Sequence, residues 1–291
     1  MSNHLLDHLT HVDPREQERY GRVALAHATI PGEAAFTLDR LDGSNALSLV
    51  RHLIDTYPHP INETDILESL SQIQQGTHQV LIPTDAEWPT GLRDLGSTQP
   101  LALWVRGDVS LAQTPPKTVT ITGARAATSY GESVATEFTR HLADTGHSIV
   151  TGGAHGIDAA ATRAAGPRGV VVLASGIDRA YPAGNAELLQ RVAHNGLVLT
   201  EAPPHVAPTR ARFIARARIL AALSDATVIV EAGARSGAIA VANTAHWLGR
   251  TVGAVPGPIT SAASTGCHIL IRQGTARLIT HATDVTITPD Q

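Results

Sequence analysis

Two glycine-rich segments contain residue types that can bind an anion. The first is Gly123-Ala124-Arg125, which Ser129 follows, and the second is GGAHG at 152–156. Each lies between a short β-branched run and a helical pattern, so its backbone amides could approach a phosphate at a helix N-terminus. The alternative is that the glycines only allow tight strand-to-helix turns. The candidate residues here are Gly123, Arg125, Ser129, Gly152, Gly153, His155 and Gly156.

Neither segment matches a nucleotide-binding signature. The sequence lacks G-x-x-x-x-G-K-[ST] in these segments, which gives no support to an ATPase of that type. It also lacks G-x-G-x-x-G there, so a nicotinamide cofactor is only weakly indicated. We therefore expect no cofactor.

A third segment combines arginines with one aromatic ring. Residues 202–224 contain no acid, but they include Arg210, Arg216, Arg218 and Phe213. Arginines can hold phosphates while a ring stacks on an unpaired base, which predicts binding of single-stranded nucleic acid. The same spacing also fits a buried helix face on which Phe213 packs into the core, and the sequence leaves both interpretations open.

Other reactive side chains give weaker signals. His155 and Asp158 could form an acid–base pair, whereas Cys267 precedes an apolar helix and is expected to be a buried structural thiol. Glu231 ends a strand before Ser236 and Gly237, so it could bind a ribose or a base, or cap the next helix. His4, His8 and His11 have a helical spacing but no further ligand completes a metal site. We expect neither catalytic residues nor a metal.

The charge of the chain is distributed unevenly. The 291 residues carry 22 basic and 26 acidic side chains, a net charge of −4 that argues against a histone-like electrostatic binder. Residues 1–110 hold 7 arginines and 15 acids, whereas residues 111–291 hold 15 basic residues and 11 acids. Nucleic acid is therefore expected on the second part. A single cysteine excludes a disulfide framework and a multi-cysteine zinc site.

The elements that must position these residues fall into two groups. Amphipathic helical patterns fill residues 1–75, namely REQERYGRVALAHA, PGEAAFTLDRLDG, NALSLVRHLIDTY and NETDILESLSQIQQ. Within residues 76–291, short apolar runs alternate with helical patterns, which predicts a doubly wound, mostly parallel α/β sheet. No signal peptide or membrane-spanning run is found, so a cytoplasmic protein is expected.

Several blocks, in order, resemble the DNA-processing protein A (DprA/Smf) family over about residues 80–280. The first block is GAR at 123–125 with Tyr130-Gly131 after it, and Thr200-Glu201 follows a later strand. The remaining blocks are TGGAHGIDAAAT at 151–162, GIDRAYPAGN at 176–185, IVEAGARSG at 229–237, VPG at 255–257 and GCHILI at 266–271.

The resemblance implies a Rossmann-like domain after a helical, sterile-alpha-motif-like (SAM-like) domain. It implies a homodimeric, non-enzymatic protein that binds single-stranded DNA, protects incoming DNA in competence and natural transformation, and helps load the RecA recombinase. The family's DNA pocket corresponds to Arg125, Arg210 and Phe213. With the residues above, we predict a DNA-binding set that also includes Arg216, Arg218, Ser236 and Gly237. The winged-helix domain that follows in some members is expected to be absent.

The sequence departs from the family pattern at several polar positions. F-P-R-R-N-R-I-I is replaced by FIARARIL at 213–220, and His268 and Thr162 replace a family asparagine and histidine. We therefore expect altered or weaker ligand binding. Two other hypotheses remain, a nucleotide N-glycosidase of the same superfamily and a non-catalytic nucleotide sensor. The glycosidase motif P-G-G-x-G-T-x-x-E is missing from the corresponding region, Glu231–Gly237.

Overall fold

The protein is described by a computed structural model, which covers residues 6, 10–29, 45–56, 62–112 and 118–285. The predicted helix PGEAAFTLDRLDG and the side chains of His4 and His8 lie outside the described residues. The other three N-terminal helices are confirmed as α1 (Pro14–Ala28), α2 (Ala46–Thr56) and α3 (Glu63–Gln74).

Helix α1 begins where its sequence supplies a cap. Asp13 Oδ1 accepts hydrogen bonds from the amides of Arg15 and Glu16 at 2.9 and 3.3 Å, and Pro14 occupies the first helical position. One turn later, Glu18 Oε2 accepts a hydrogen bond from the Ala46 amide at 2.9 Å. A side chain of α1 therefore caps α2 and fixes the two helices against each other.

Nine strands of the described residues form one sheet in the order β1-β2-β6-β5-β4-β3-β7-β8-β9. Strand β2 is antiparallel to both of its neighbours, and the remaining pairs are parallel, which confirms the predicted doubly wound sheet. The strands are Gln79–Leu81, Leu103–Gly107, Thr118–Thr122, Ser148–Thr151, Gly169–Val172, Leu197–Thr200, Ala226–Ile229, Thr251–Ala254 and Arg277–Leu278.

The order in which the chain adds strands to the sheet reverses beside β3. It adds β4, β5 and β6 on one side and then crosses to β7 and β8 on the other, so the carboxyl ends of β3 and β7 meet at a topological switch point. The connecting helices are α4 (Ser129–Asp144), α5 (Ile157–Ala165), α6 (Ala186–Asn195), α7 (Arg210–Ala222), α8 (Gly237–Trp247) and α9 (Thr265–Arg272). None of the helices in the described ranges is long and apolar enough to span a membrane.

The two faces of the sheet belong to different hydrophobic clusters because successive side chains of a strand alternate in direction. Val170 and Val172 of β5 pack with residues of α7 and α8, whereas Val171 between them packs in a second cluster. That second cluster also contains Val23 of α1 and Leu70 of α3. The N-terminal helices therefore share a core with the sheet, and the domain boundary at residue 75 stays a prediction.

A buried ion pair connects α7 to the end of β6. The guanidinium of Arg218 holds both carboxylate oxygens of Glu201 at 2.8 and 2.6 Å, and the two side chains are only 11% and 12% exposed. Its Nε also donates to the carbonyl of Thr98 at 2.7 Å. Arg218 thus connects α7 to the end of β6 and to the segment that contains Thr98.

Removing one partner of this pair leaves a buried charge without compensation. We expect Arg218→Ala, measured by chemical denaturation, to lower the free energy of unfolding by about 3–5 kcal/mol. The double variant Arg218→Ala/Glu201→Ala should be destabilised by less than the sum of the two single variants. The matched control, Arg168→Ala, changes an exposed arginine and should cost no more than about 0.5 kcal/mol. If the losses in unfolding free energy of the two single variants add up to that of the double variant, the proposed coupling between Arg218 and Glu201 is contradicted.

His27 of α1 is enclosed where the helix packs on the sheet. Its ring makes an edge contact with the Trp104 ring at 6.3 Å between centroids. Burial lowers the pKa of His27 to about 4, which the Asp65 carboxylate opposes only in part. The folded protein therefore holds this ring neutral at neutral pH.

The depressed pKa of His27 makes stability depend on pH in one direction. Above about pH 6.5 the ring is neutral in both states, and between about pH 6.5 and 4 only the unfolded chain binds the proton. We expect the free energy of unfolding to fall by up to about 3 kcal/mol over that interval, and His27→Gln to remove that share. Urea titrations across this pH range test it, with exposed His141→Gln as the control. An unchanged pH slope in His27→Gln contradicts the prediction.

Candidate functional site

A cleft of about 490 Å³ opens at the switch point of the sheet. It lies between the segments that follow β3, β4 and β7, and helices α7 and α8 line it as well. This is where a doubly wound sheet binds its ligands. The predicted residues that line this cleft are Gly123, Arg125, Phe213, Arg216, Ser236 and Gly237.

Phe213 lies in the cleft and is not part of the buried core. The Arg125 guanidinium carbon is 4.7 Å from the centroid of its ring, and that of Arg216 is 5.2 Å away. The Tyr181 ring lies 5.7 Å from it, and the next residue, Ile214, is 61% exposed. The structure therefore excludes the core-packing interpretation of Phe213, because the buried face of α7 begins only at Ala215, whereas base stacking stays a prediction.

Arg216 is fixed by the sheet on which it lies. Its Nη1 donates to the Gly152 carbonyl at 2.5 Å and to the Val172 carbonyl at 3.3 Å. Burial lowers the pKa of Arg216 to about 10, opposed by the nearby Asp158 carboxylate, so the side chain remains cationic at neutral pH. Its buried Nε has no hydrogen-bond partner among the described residues. The guanidinium is thus held by backbone carbonyls, and its Nε is not accessible from the cleft.

The glycine loop after β4 shapes the wall of the cleft. Asp158 Oδ2 accepts hydrogen bonds from the amides of Gly152 and Ala154 at 3.0 and 3.2 Å, and the Gly153 amide donates to Thr151 Oγ1. These three amides therefore donate within the loop, and a contact of this loop with an anion stays a prediction. Gly156, at φ +68°, lies so close to the Ala124 carbonyl that a Cβ would collide with it. The tight-turn interpretation explains these glycines.

Asp158 and Glu231 are structural carboxylates. The other oxygen of Asp158 accepts from Thr122 Oγ1 at 2.7 Å, so this carboxylate is bound to the loop and does not form the proposed pair with His155. Glu231 is buried, and its oxygens accept from the amide and the hydroxyl of Thr128, at 2.9 and 2.5 Å. Glu231 thus fixes the start of α4, and Ser129, the first residue of that helix, is exposed outside the cleft lining.

The N-terminus of α8 supplies the opposite wall. Ser236 Oγ accepts a hydrogen bond from the Ala238 amide at 3.3 Å, and Gly237 is the first helical residue. No atom would lie within 4 Å of a Cβ at Gly237, so the approach to this helix end is open. The positive end of the helix dipole and the Arg235 side chain, which also lines the cleft, both favour an anion there.

The remaining candidates lie outside this cleft. Arg210 is exposed at the first position of α7, and Arg218 is held by Glu201. His155 is exposed and lines a small adjoining pocket with Gly152 and Tyr181. Cys267 is buried and burial raises its pKa to about 12, in agreement with a structural thiol.

Sequence reasoning missed two residues of this region. Arg235 was absent from the predicted binding set although it stands directly before Ser236. Tyr181 was recognised only as part of a motif, although its ring lies beside Phe213. The scarcity of aromatic residues, 3% of the chain, was a signal that could have drawn attention to Tyr181.

Comparison with known proteins places the α/β part in one family. The model of the family DNA recombination-mediator protein A matches residues 79–289. A protein of Mycobacterium tuberculosis strain H37Rv is 46% identical over 235 residues, which are 75% of this chain and 59% of that protein. The DNA processing protein DprA of Streptococcus pneumoniae is 36% identical over 189 residues, 64% of this chain and 66% of that protein.

Two solved structures share the fold. That of DNA processing protein A from Streptococcus pneumoniae has a TM-score of 0.72 at 28% identity and covers 91% of this chain and 95% of its own. The structure of DNA processing protein A from Helicobacter pylori is described by its single-stranded DNA binding mode. It has a TM-score of 0.65 at 30% identity, and the match covers 71% of this chain and 93% of that one.

The similarity extends over most of the sequence but not over the full length of every relative. The chain spans 59% of the length of the Mycobacterium tuberculosis protein. The family match covers more than two thirds of the 291 residues and includes every element that lines the cleft. The chain therefore belongs to the DNA recombination-mediator protein A family.

Proposed function

We propose that the cleft binds single-stranded DNA without cleaving it. The observation that carries this proposal is the position of Phe213, a half-buried ring in the lining of the cleft with the cationic groups of Arg125 and Arg216 beside it. A ring among cations suits a strand whose bases are unpaired, because a base can stack while the phosphates meet positive charge. The binding mode described for the Helicobacter pylori relative supports the same ligand.

The two arginines beside the ring have different tasks in this proposal. Arg216 is tied to Gly152 and Val172, so it maintains the cleft and adds positive charge beside it while its Nε stays buried. Arg125 is exposed and its side chain can move from the ring to a phosphate when a base takes its place. The N-terminus of α8 with Arg235 provides a further position for a phosphate.

The finer role follows from the family. We propose that the protein acts as a homodimer, protects incoming single-stranded DNA during natural transformation and helps to load the RecA recombinase. The family's description as a recombination mediator supports this role. The structural use of Asp158, Glu231 and Cys267 favours binding over the N-glycosidase alternative, because these candidate acids and the thiol are engaged within the protein.

Salt dependence separates the roles of the arginines and the ring. Fluorescent oligo-dT is titrated over a salt series, and each phosphate contact contributes about −0.7 to the log–log slope. Arg125→Ala and Arg210→Ala should each make the slope shallower by about that amount, whereas Phe213→Ala should weaken binding about 5- to 100-fold at an unchanged slope.

The control is Arg168→Ala, which removes an exposed arginine just before the amino end of β5, at the opposite edge of the sheet. Its slope and affinity should match those of the unaltered protein. No binding of oligo-dT at micromolar protein in low salt would refute the proposed function, and release of free base from nucleoside monophosphates would favour the N-glycosidase.

Protection and recombinase loading are tested with the same variants. We expect the protein to slow digestion of oligo-dT by a single-strand exonuclease and to stimulate RecA ATP hydrolysis on DNA covered by single-strand-binding protein. Phe213→Ala should lose both effects because both require the bound strand. Stimulation that persists undiminished in Phe213→Ala would contradict the assignment of the cleft to this role.

A further inference from the structure

Two apolar side chains are displayed at the β8 end of the sheet edge that contains the cleft. Tyr130, near the start of α4, is 46% exposed, and Ile259, in the loop after β8, is 91% exposed. Resting on the proposed function, we propose that a bound single strand leaves the cleft toward β8 and stacks a base on Tyr130, with Ile259 extending the apolar surface.

The Tyr130 ring is held in place before any ligand binds. Its hydroxyl donates to the Pro256 carbonyl at 2.9 Å, which spans from α4 to the loop after β8. Its neighbour Thr128 is fixed on the buried carboxylate of Glu231 through both its amide and its hydroxyl. An exposed ring anchored in this way loses little conformational freedom when a base stacks on it, which favours binding.

The order of the strands gives the length of the path. Tyr181 follows β5, Arg125 follows β3 and Pro256 follows β8, and these strands are successive or near neighbours in the row β5-β4-β3-β7-β8. At about 4.8 Å between strands, the edge from β5 to β8 measures about 19 Å. A strand with the 3.4 Å spacing between nucleotides of a duplex would place at most about six nucleotides along this distance, and an extended strand would place fewer.

The charges along the edge indicate how each part contributes. Arg125 and Arg235 line the cleft between the two ends of the path and can hold phosphates. Glu132, exposed two residues after Tyr130, makes a phosphate contact unfavourable at that spot. Tyr130 therefore contributes stacking, and its contribution does not change with salt in the way an ionic contact does.

Binding of an oligo-dT length series tests the extension, with lengths from about 4 to about 16 nucleotides. Tyr130→Ala should bind the shortest oligomers like the unaltered protein and lose about 5- to 100-fold in affinity for the longer ones, with an unchanged salt slope. Tyr130→Phe keeps the ring and should stay within about threefold of the unaltered protein. Ile259→Ala should show a smaller loss, again only with longer oligomers.

The matched control is Trp247→Ala, which removes a 74% exposed ring at the far end of α8, about 15 Å along the helix from Gly237. It should leave the length dependence unchanged. Three results would overturn the extension and leave the cleft assignment intact. Tyr130→Ala could bind every length with the affinity of the unaltered protein, it could lose the same factor in affinity at every length, or its sole effect could be a changed oligomeric state. If even the unaltered protein fails to bind oligo-dT, the proposed function and this extension fall together.

Discussion

The buried carboxylate of Asp158 joins the elements that meet at the switch point. It accepts hydrogen bonds from Thr122 of β3 and from the amides of Gly152 and Ala154 after β4, and it lies beside the Arg216 guanidinium of α7. A buried charge without such partners would cost several kcal/mol. The carboxylate thus requires the glycine loop, the end of β3 and α7 to stay together, and their meeting place is the cleft.

Arg216 transmits this constraint to the candidate binding surface. Because its Nη1 is held by the Gly152 and Val172 carbonyls, the second turn of α7 cannot shift without breaking buried hydrogen bonds. Phe213, one turn earlier on the same helix, is thereby kept in the lining of the cleft. Two buried charged groups therefore organise the site, and the exposed Arg125 remains available for a ligand.

The sequence was sufficient for the architecture and for the position of the cleft, but not for the partners of the side chains that line it. Alternating β-branched runs and helices predict a parallel sheet, and the cleft lies where such a sheet reverses. Spacing could not reveal that Arg218 would pair with Glu201, seventeen residues away, nor that Asp158 would take the loop amides. Such pairings depend on tertiary distances, and Phe213 was undecided for the same reason.

The sheet order also explains how an acidic protein can present a cleft suited to DNA. The acid-rich N-terminal helices pack in a cluster with side chains of β2, β5 and β6, whereas the cleft lies at β3 and β7. Strand β3 is two positions from β5 and three from β6, about 10 and 14 Å at the usual strand spacing. These distances are one to two Debye lengths, about 8 Å each at physiological salt, so repulsion from the solvated acids of these helices is partly screened at the cleft. Some acids in this part of the chain are also neutralised by ion pairs, because Arg19 pairs with both Glu16 and Asp85. The repulsion that remains is weakest toward β8, so electrostatics favours a strand that leaves the cleft in that direction.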